Sequence, residues 1–189
     1  SQSRPEFAAD FVDSDSQLWR VDWQERWDQW RFATELFERS AEIESINSFV
    51  GWPTTTVNDT ERSQMGWYSR LQYGWQATHG EAHLIAGVDV DWGEYDFSLL
   101  QRSNDQQVVS VYSQWSQPLL PNLGLKVAAR VAEVEDEIDD AFMYPDGVSL
   151  DNDAEALDIG LHYQWRPSLA GFVRWNESYR FAKVDEQAY

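Results

Sequence analysis

Cysteine is absent from the chain, which removes disulfide frameworks, thiolate nucleophiles and thiolate metal sites from consideration. Also absent is any run of about 18 apolar residues, so no helix of this sequence can cross a bilayer. Cations are scarce: 14 Lys and Arg stand against 33 Asp and Glu, for a net charge of -19. Phosphate backbones need clustered Lys and Arg, so no nucleic-acid partner is expected. The opening residues, SQSRPEFAADF, have neither the charged n-region nor the apolar h-region of a signal peptide. If such a protein is exported, the chain is expected to be a processed form or an internal piece.

What the chain has in quantity is aromatic: 11 Trp, 8 Tyr and 9 Phe in 189 residues. With a mean hydropathy of -0.59, these side chains call for interfaces, stacking or sugar contacts. The stretch from Val108 to Ile138, VVSVYSQWSQPLLPNLGLKVAARVAEVEDEI, shows how they are deployed. Val109, Val111 and Trp115 alternate with Ser110, Tyr112, Gln114 and Ser116; then, past a turn at 118–123, Leu125, Val127, Ala129 and Val131 alternate with Lys126, Ala128, Arg130 and Ala132. Strand side chains point to opposite faces with period 2, so each arm has one apolar and one polar face. After Val131 the apolar face becomes acidic at Glu133 and Glu135. Such a strand suits an apolar slab of limited thickness, and a bilayer barrel strand crosses in roughly 9–11 tilted residues.

The same hairpin recurs along the chain. Alternation predicts eight antiparallel strands in meander order near 17–26, 29–44, 62–75, 81–98, 107–117, 124–138, 154–166 and 169–180, because consecutive strands with short connections pair as neighbours. Residues 1–16 read as a loop, and 40–62, 100–107 and 136–155 as long connections between short turns near 27, 78, 120 and 167. Phe37 interrupts the alternation of its strand. Trp23, Trp27, Trp30, Tyr73, Trp75, Trp115, Tyr163 and Trp165 gather beside the short turns, and every strand cation (Arg20, Arg31, Arg39, Arg70, Lys126, Arg130, Arg174) falls on the polar face. Short turns, long opposite loops and aromatic girdles together are the pattern of an outer-membrane barrel.

Two segments carry a resemblance. HLIAGVDVDWGEYDF followed by the 108–138 hairpin, and the ending RPSLAGFVRWNESYRFAKVDEQAY with its FAKVDE stretch, resemble mid-barrel strands of TonB-dependent outer-membrane receptors. Together they cover roughly half of the chain. Ala129-Arg130-Val131 stands where the family often has Gly-Arg-Tyr. The resemblance implies residence in the bacterial outer membrane, contact with membrane lipid, a 22-stranded barrel with an N-terminal plug, and uptake of a scarce small molecule such as a metal chelate or ferric siderophore. It implies further that the TonB complex is engaged through a plug that this chain does not contain, and that no cofactor is needed. Residues 1–189 are then expected to be one barrel segment, without plug or terminal strand.

No catalytic constellation is convincing. His79 falls in a turn, while His83 and His162 lie on polar faces of different strands, without triad spacing to any serine. Asp151-Asn152-Asp153 with Glu155 hints at calcium, but Ala156 occupies the position where the ion-binding loop requires Gly; a solvated acidic loop is the simpler account, and neither enzyme activity nor a metal site is expected. Arg39, Arg70, Arg130 and Arg174 are candidate contacts for an anionic ligand, since guanidinium pairs carboxylates bidentately. Asp22, Glu35, Asp89, Asp91 and Asp158 share their faces and could instead neutralise them. Trp52, Phe142 and Tyr144, in the long loops, are candidate ligand contacts or loop anchors.

Two other readings compete: a soluble all-β carbohydrate-binding module with exposed Trp, and a small complete eight-stranded outer-membrane barrel serving as anchor or adhesin. The polar faces bear too many charges for the narrow lumen of eight closed strands, where each needs a partner or water. An open curved sheet is therefore expected, with its first and last strands unpaired to each other and the arginines on the concave side.

Overall fold

A computed structural model describes residues 11–48 and 55–179. The chain forms one antiparallel sheet, β1 (Phe11–Trp27), β2 (Trp30–Ser48), β3 (Thr55–Ala77), β4 (Gly80–Phe97), β5 (Arg102–Leu120), β6 (Leu123–Asp140), β7 (Tyr144–Arg166) and β8 (Leu169–Glu177). Their spatial order is β1 to β8 without crossover. β1 and β8 are the two edges, so the sheet is open, as the charge on its polar face required, and it is not a closed eight-stranded barrel.

Register and alternation place the faces without ambiguity. Val111 opposes Val88 and Val131, Trp115 opposes Leu84 and Val127, and Val127 opposes Ile159. These apolar side chains form one continuous outer band, with Leu36, Trp67, Val90, Leu161 and Val173 in the same parity. Along β4 the band runs from Ala82 to Trp92. At about 3.3 Å per residue and a tilt of about 40°, that length rises about 25 Å, the height of a bilayer's apolar zone. Aromatic rings line its lower margin: Trp30 and Tyr73 lie 4.6 Å apart, Tyr73 and Trp75 stack at 5.8 Å, and Tyr163 meets Trp165 edge-on at 4.9 Å.

Phe37 resolves by register. It points inward opposite Gly66, where a Cβ would run into its ring, and it lies 5.4 Å from Tyr68. Trp165 covers Gly171 in the same way. A strand glycine beside an aromatic ring recovers the packing that its missing side chain gives up.

The strands are longer than alternation alone suggested. β1 begins at Phe11 rather than Gln17, β3 at Thr55 rather than Arg62, and β5 at Arg102 rather than Gln107. The expected acidic loop 136–155 is mostly the end of β6 and the start of β7, leaving a turn of three residues, 141–143. Tyr144 therefore opens a strand instead of occupying a loop. At the other end β8 stops at Glu177 rather than continuing to 180. Polar residues obscured the extensions because a strand outside lipid needs no apolar face when its ladder hydrogen bonds are made to neighbours. For the same reason Asp151, Asn152 and Asp153 alternate between faces of β7 and do not converge on a calcium ion.

Above the band the sidedness inverts. Glu133, Glu135, Glu137 and Asp139 face out, while Ala132, Val134, Asp136, Ile138 and Asp140 turn inward and are buried; Val134 is 1% exposed and Asp136 0%. Tyr95, Asn104 and Thr60 complete this inner cluster. The Arg62 guanidinium lies 5.1 Å above the Tyr95 ring, and Gln106 Nε2 donates to Asp136 Oδ1 at 2.8 Å. The outer surface of the same region is a wall of carboxylates. Asp15, Glu42, Glu61 and Asp96 oppose one another in succession, as do Glu94, Asp105 and Glu137. Like charges directly across strands repel. Partial burial, with repulsion from Glu94, Asp96, Glu137 and Asp139, pushes the Asp105 carboxyl above its ordinary range.

Two outcomes are expected. Val127→Arg or Ile159→Arg, on the lipid side, should cost about 2–4 kcal/mol of membrane assembly near the midplane, whereas inward Ala128→Arg should be far milder; the folded fraction in membranes measures both. A carboxyl whose folded pKa is raised weakens the fold as pH rises through that value and relieves it on acidification. Asp105→Asn should therefore stabilise by a few tenths of a kcal/mol at pH 7, after solvent screening, and the gain should vanish as pH falls; thermal midpoints across pH follow it.

Candidate functional site

Every strand cation that the register places within the barrel wall points inward, because lipid tolerates no unpaired charge on the other side. Three of them converge. A cavity of about 380 Å³ on the concave face is lined by Arg70, Tyr112, Arg130, Asp158, Arg174 and Asn176, among others. Arg130 Nη2 lies 2.9 Å from Asp89 Oδ2 and donates to Ser110 Oγ at 2.5 Å, and its guanidinium sits 5.6 Å from the Tyr112 ring. Arg174 grips Asp158 bidentately, Nε to Oδ1 and Nη2 to Oδ2, both at 2.8 Å. Both arginines are thus committed to carboxylates. Arg70 has no such partner among the described residues, and it is the free cation of the cavity.

Gly87 shapes this cavity. Tyr112 is its direct cross-strand partner, and a Cβ at Gly87 would stand 2.5 Å from the ring and hydroxyl of Tyr112 and 2.8 Å from the Ser69 carbonyl. Only glycine lets the phenol lie across β4 between Arg70 and Arg130. Alternation places Tyr112 on the polar face but carries no sign of this contact; the available signal is Gly87 itself, since a glycine in a strand interior marks a close approach of this kind.

The remaining candidates lie elsewhere. Arg39 lines a separate cavity of about 340 Å³ with Arg62, Gln64, Asp91 and Gln106. Tyr144 and Phe142 stand at the far tip of the β6–β7 hairpin, and Trp52 lies outside the described residues. His83 and His162 point inward from different strands, and His79 is in the β3–β4 turn. Elsewhere on the concave face Arg20 pairs with Asp22 and Glu35, each at 2.9 Å, while Tyr68 donates to Asp91 at 2.5 Å. Among the described residues no group of His, Asp and Glu has the geometry of a metal site.

An outward apolar band of bilayer height, an inward charged face and unsealed edges define a segment of transmembrane barrel wall. Solved structures share this fold. The siderophore receptor PiuA from Acinetobacter baumannii matches 88% of this chain with a TM-score of 0.74 at 10% identity, through 32% of its own length. The ferric-catecholate import receptor Fiu from Escherichia coli K12 matches 89% with a TM-score of 0.72 at 8% identity, through 33% of its length. The alcaligin outer membrane receptor FauA from Bordetella pertussis matches 85% with a TM-score of 0.70 at 11% identity, through 28% of its length. The chain therefore has the fold of part of a siderophore-receptor barrel, and spans about a third of the length of these matches. No family model and no curated protein matches the sequence.

Gly87→Val should displace the Tyr112 ring and press on the Ser69 carbonyl, costing about 1–3 kcal/mol as overpacking does. Gly124→Ala, where a Cβ meets nothing within 4 Å, is the neutral control; chemical denaturation of the two variants compares them.

Proposed function

We propose that this chain is the barrel-wall portion of a TonB-dependent receptor in the bacterial outer membrane that imports a scarce metal chelate such as a ferric siderophore. The observation that carries the reading is the joint one of barrel type and polarity. The sheet superposes on siderophore receptors, its outer face suits lipid, and its inner face carries guanidinium groups where a solute would pass. A soluble carbohydrate-binding module would have no use for an uninterrupted outward apolar band, and its two open edges would invite aggregation. Closure of the barrel by further strands, a plug, and TonB coupling through that plug belong to the same proposal.

Within this reading Arg70 offers its unpaired charge to an anionic group of the cargo. A hydrogen bond to a charged group contributes about 1.5–3 kcal/mol, so Arg70→Ala should weaken binding of an anionic ferric chelate about tenfold or more. Arg130 and Arg174, already held by Asp89 and Asp158, contribute mainly shape.

The test uses the full-length protein in a strain lacking other routes for iron uptake. Uptake of labelled ferric chelate should depend on the protein and stop when the proton-motive force is collapsed. Uptake that persists without that energy, or no chelate bound at all, would overturn the reading.

A further inference from the structure

Two hairpin tips on the far side from the aromatic girdle are fastened together. Arg102, at the start of β5, donates from Nε to Asp140 Oδ2 at 2.7 Å, and its Nη2 also pairs with that carboxylate. The second oxygen, Asp140 Oδ1, accepts the backbone N–H of Phe142 at 2.8 Å and of Met143 at 2.9 Å. Arg102 Nη2 reaches Met143 Sδ at 3.9 Å, and Ala141 N donates to the Gln101 carbonyl at 3.3 Å. The short 3-10 turn Ser98–Leu100 is tied in turn to β3, since Ser98 Oγ accepts the N–H of Asp59 at 2.9 Å. Both Arg102 and Asp140 are buried, and the backbone hydrogen bonds hold the Asp140 carboxyl below its ordinary range.

This rigid support holds apolar side chains out in water. Phe142 is 76% exposed, Met143 67% and Leu99 47%, with Tyr144 beside them. Turns ordinarily use Gly, Asn, Asp or Ser, which serve the backbone without exposing apolar surface; here the residues are Ala, Phe and Met. Grouped exposed apolar side chains mark interaction sites, and anchors already fixed in place lose less entropy on binding. Lipid is out of reach: from Val131 to the turn, β6 climbs for nine residues, about 30 Å along the strand. The surroundings are acidic. Segments 96–105 and 136–146 contain seven Asp and Glu and a single cation, the buried Arg102, so an anionic surface would be repelled and a cationic one drawn in.

We propose that this joined summit is a docking site for a basic polypeptide whose lysine or arginine side chains flank an apolar pair. Phe142 and Met143 fill the partner's apolar contact, and Asp96, Asp139 and Asp146 face its cations. The uptake of a small chelate does not require such a surface, so it stands apart from the transport reading.

The experiment measures fluorescence anisotropy of two labelled peptides, KKLLKK and KKSSKK, on the full-length protein in zwitterionic nanodiscs, with empty nanodiscs as baseline. The protein should bind the leucine peptide at least tenfold more tightly than the serine peptide. Phe142→Ser with Met143→Ser keeps the backbone bonds to Asp140, and should bind both peptides alike. Asp139→Asn with Asp146→Asn should weaken both while preserving the preference. Equal affinities for the two peptides in the unaltered protein, a preference that survives loss of both apolar anchors, or indifference to the acidic changes would overturn the proposal; resistance of the folded form to detergent at room temperature verifies that each variant is assembled.

Discussion

A bilayer offers no hydrogen-bond partners, so every backbone N–H and C=O inside it has to be satisfied by the protein itself. Almost everything in this chain follows from meeting that demand with an antiparallel ladder. Pairing between sequence neighbours leaves the backbone satisfied strand by strand. The ladder then locks parity, since a register slip of one residue would send Val127, Ile159 and Val111 inward and Arg130 and Asp158 into lipid. Among the described residues the open edges are β1, β8 and the 144–156 stretch of β7 that β8 does not reach, and that is why an isolated sheet of this kind is incomplete in a membrane.

Parity also explains why charge chemistry is confined to the concave face. Removed from lipid, Arg20, Arg130 and Arg174 find carboxylates across the strands, Glu35 from β2, Asp89 from β4 and Asp158 from β7. Exposed pairs of this sort add little stability; their consequence is to fix orientation. By holding Arg130 and Arg174, they leave Arg70 as the cation of that cavity without a carboxylate partner among the described residues. Glycines do the complementary steric work, since Gly87 and Gly66 provide the hollows in which Tyr112 and Phe37 lie flat.

Beyond the apolar zone the solvent changes while the ladder continues. With water outside, carboxylates occupy the positions that Val and Trp hold lower down, and the inner face becomes the one that excludes water, around Val134, Ile138 and Tyr95. The tips are then pinned by a buried ion pair. Such pairs are poor sources of stability; what this one does in the structure is tie the turn, since the same Asp140 carboxylate accepts the N–H groups of Phe142 and Met143, whose side chains are exposed.

The sequence by itself determined the class of fold, the number and order of strands, and which residues meet lipid. Period-2 alternation is a local signal, and the bilayer imposes it without compromise on 81–92 and 123–131. Strand ends outside lipid are not legible, because there a polar strand and a polar loop have the same composition; the segment 136–155, acidic throughout its strand ends, is the example. The candidate site was legible only in part. Parity put Arg39, Arg70, Arg130 and Arg174 on one face, but alternation says nothing of distance along that face. The tertiary structure decided that three of them share a cavity while Arg39 lies in another, that Arg70 has no carboxylate partner among the described residues, and that Arg102 reaches Asp140 from 38 residues away. Register and curvature set those distances, and they are properties of the assembled sheet that no single strand contains.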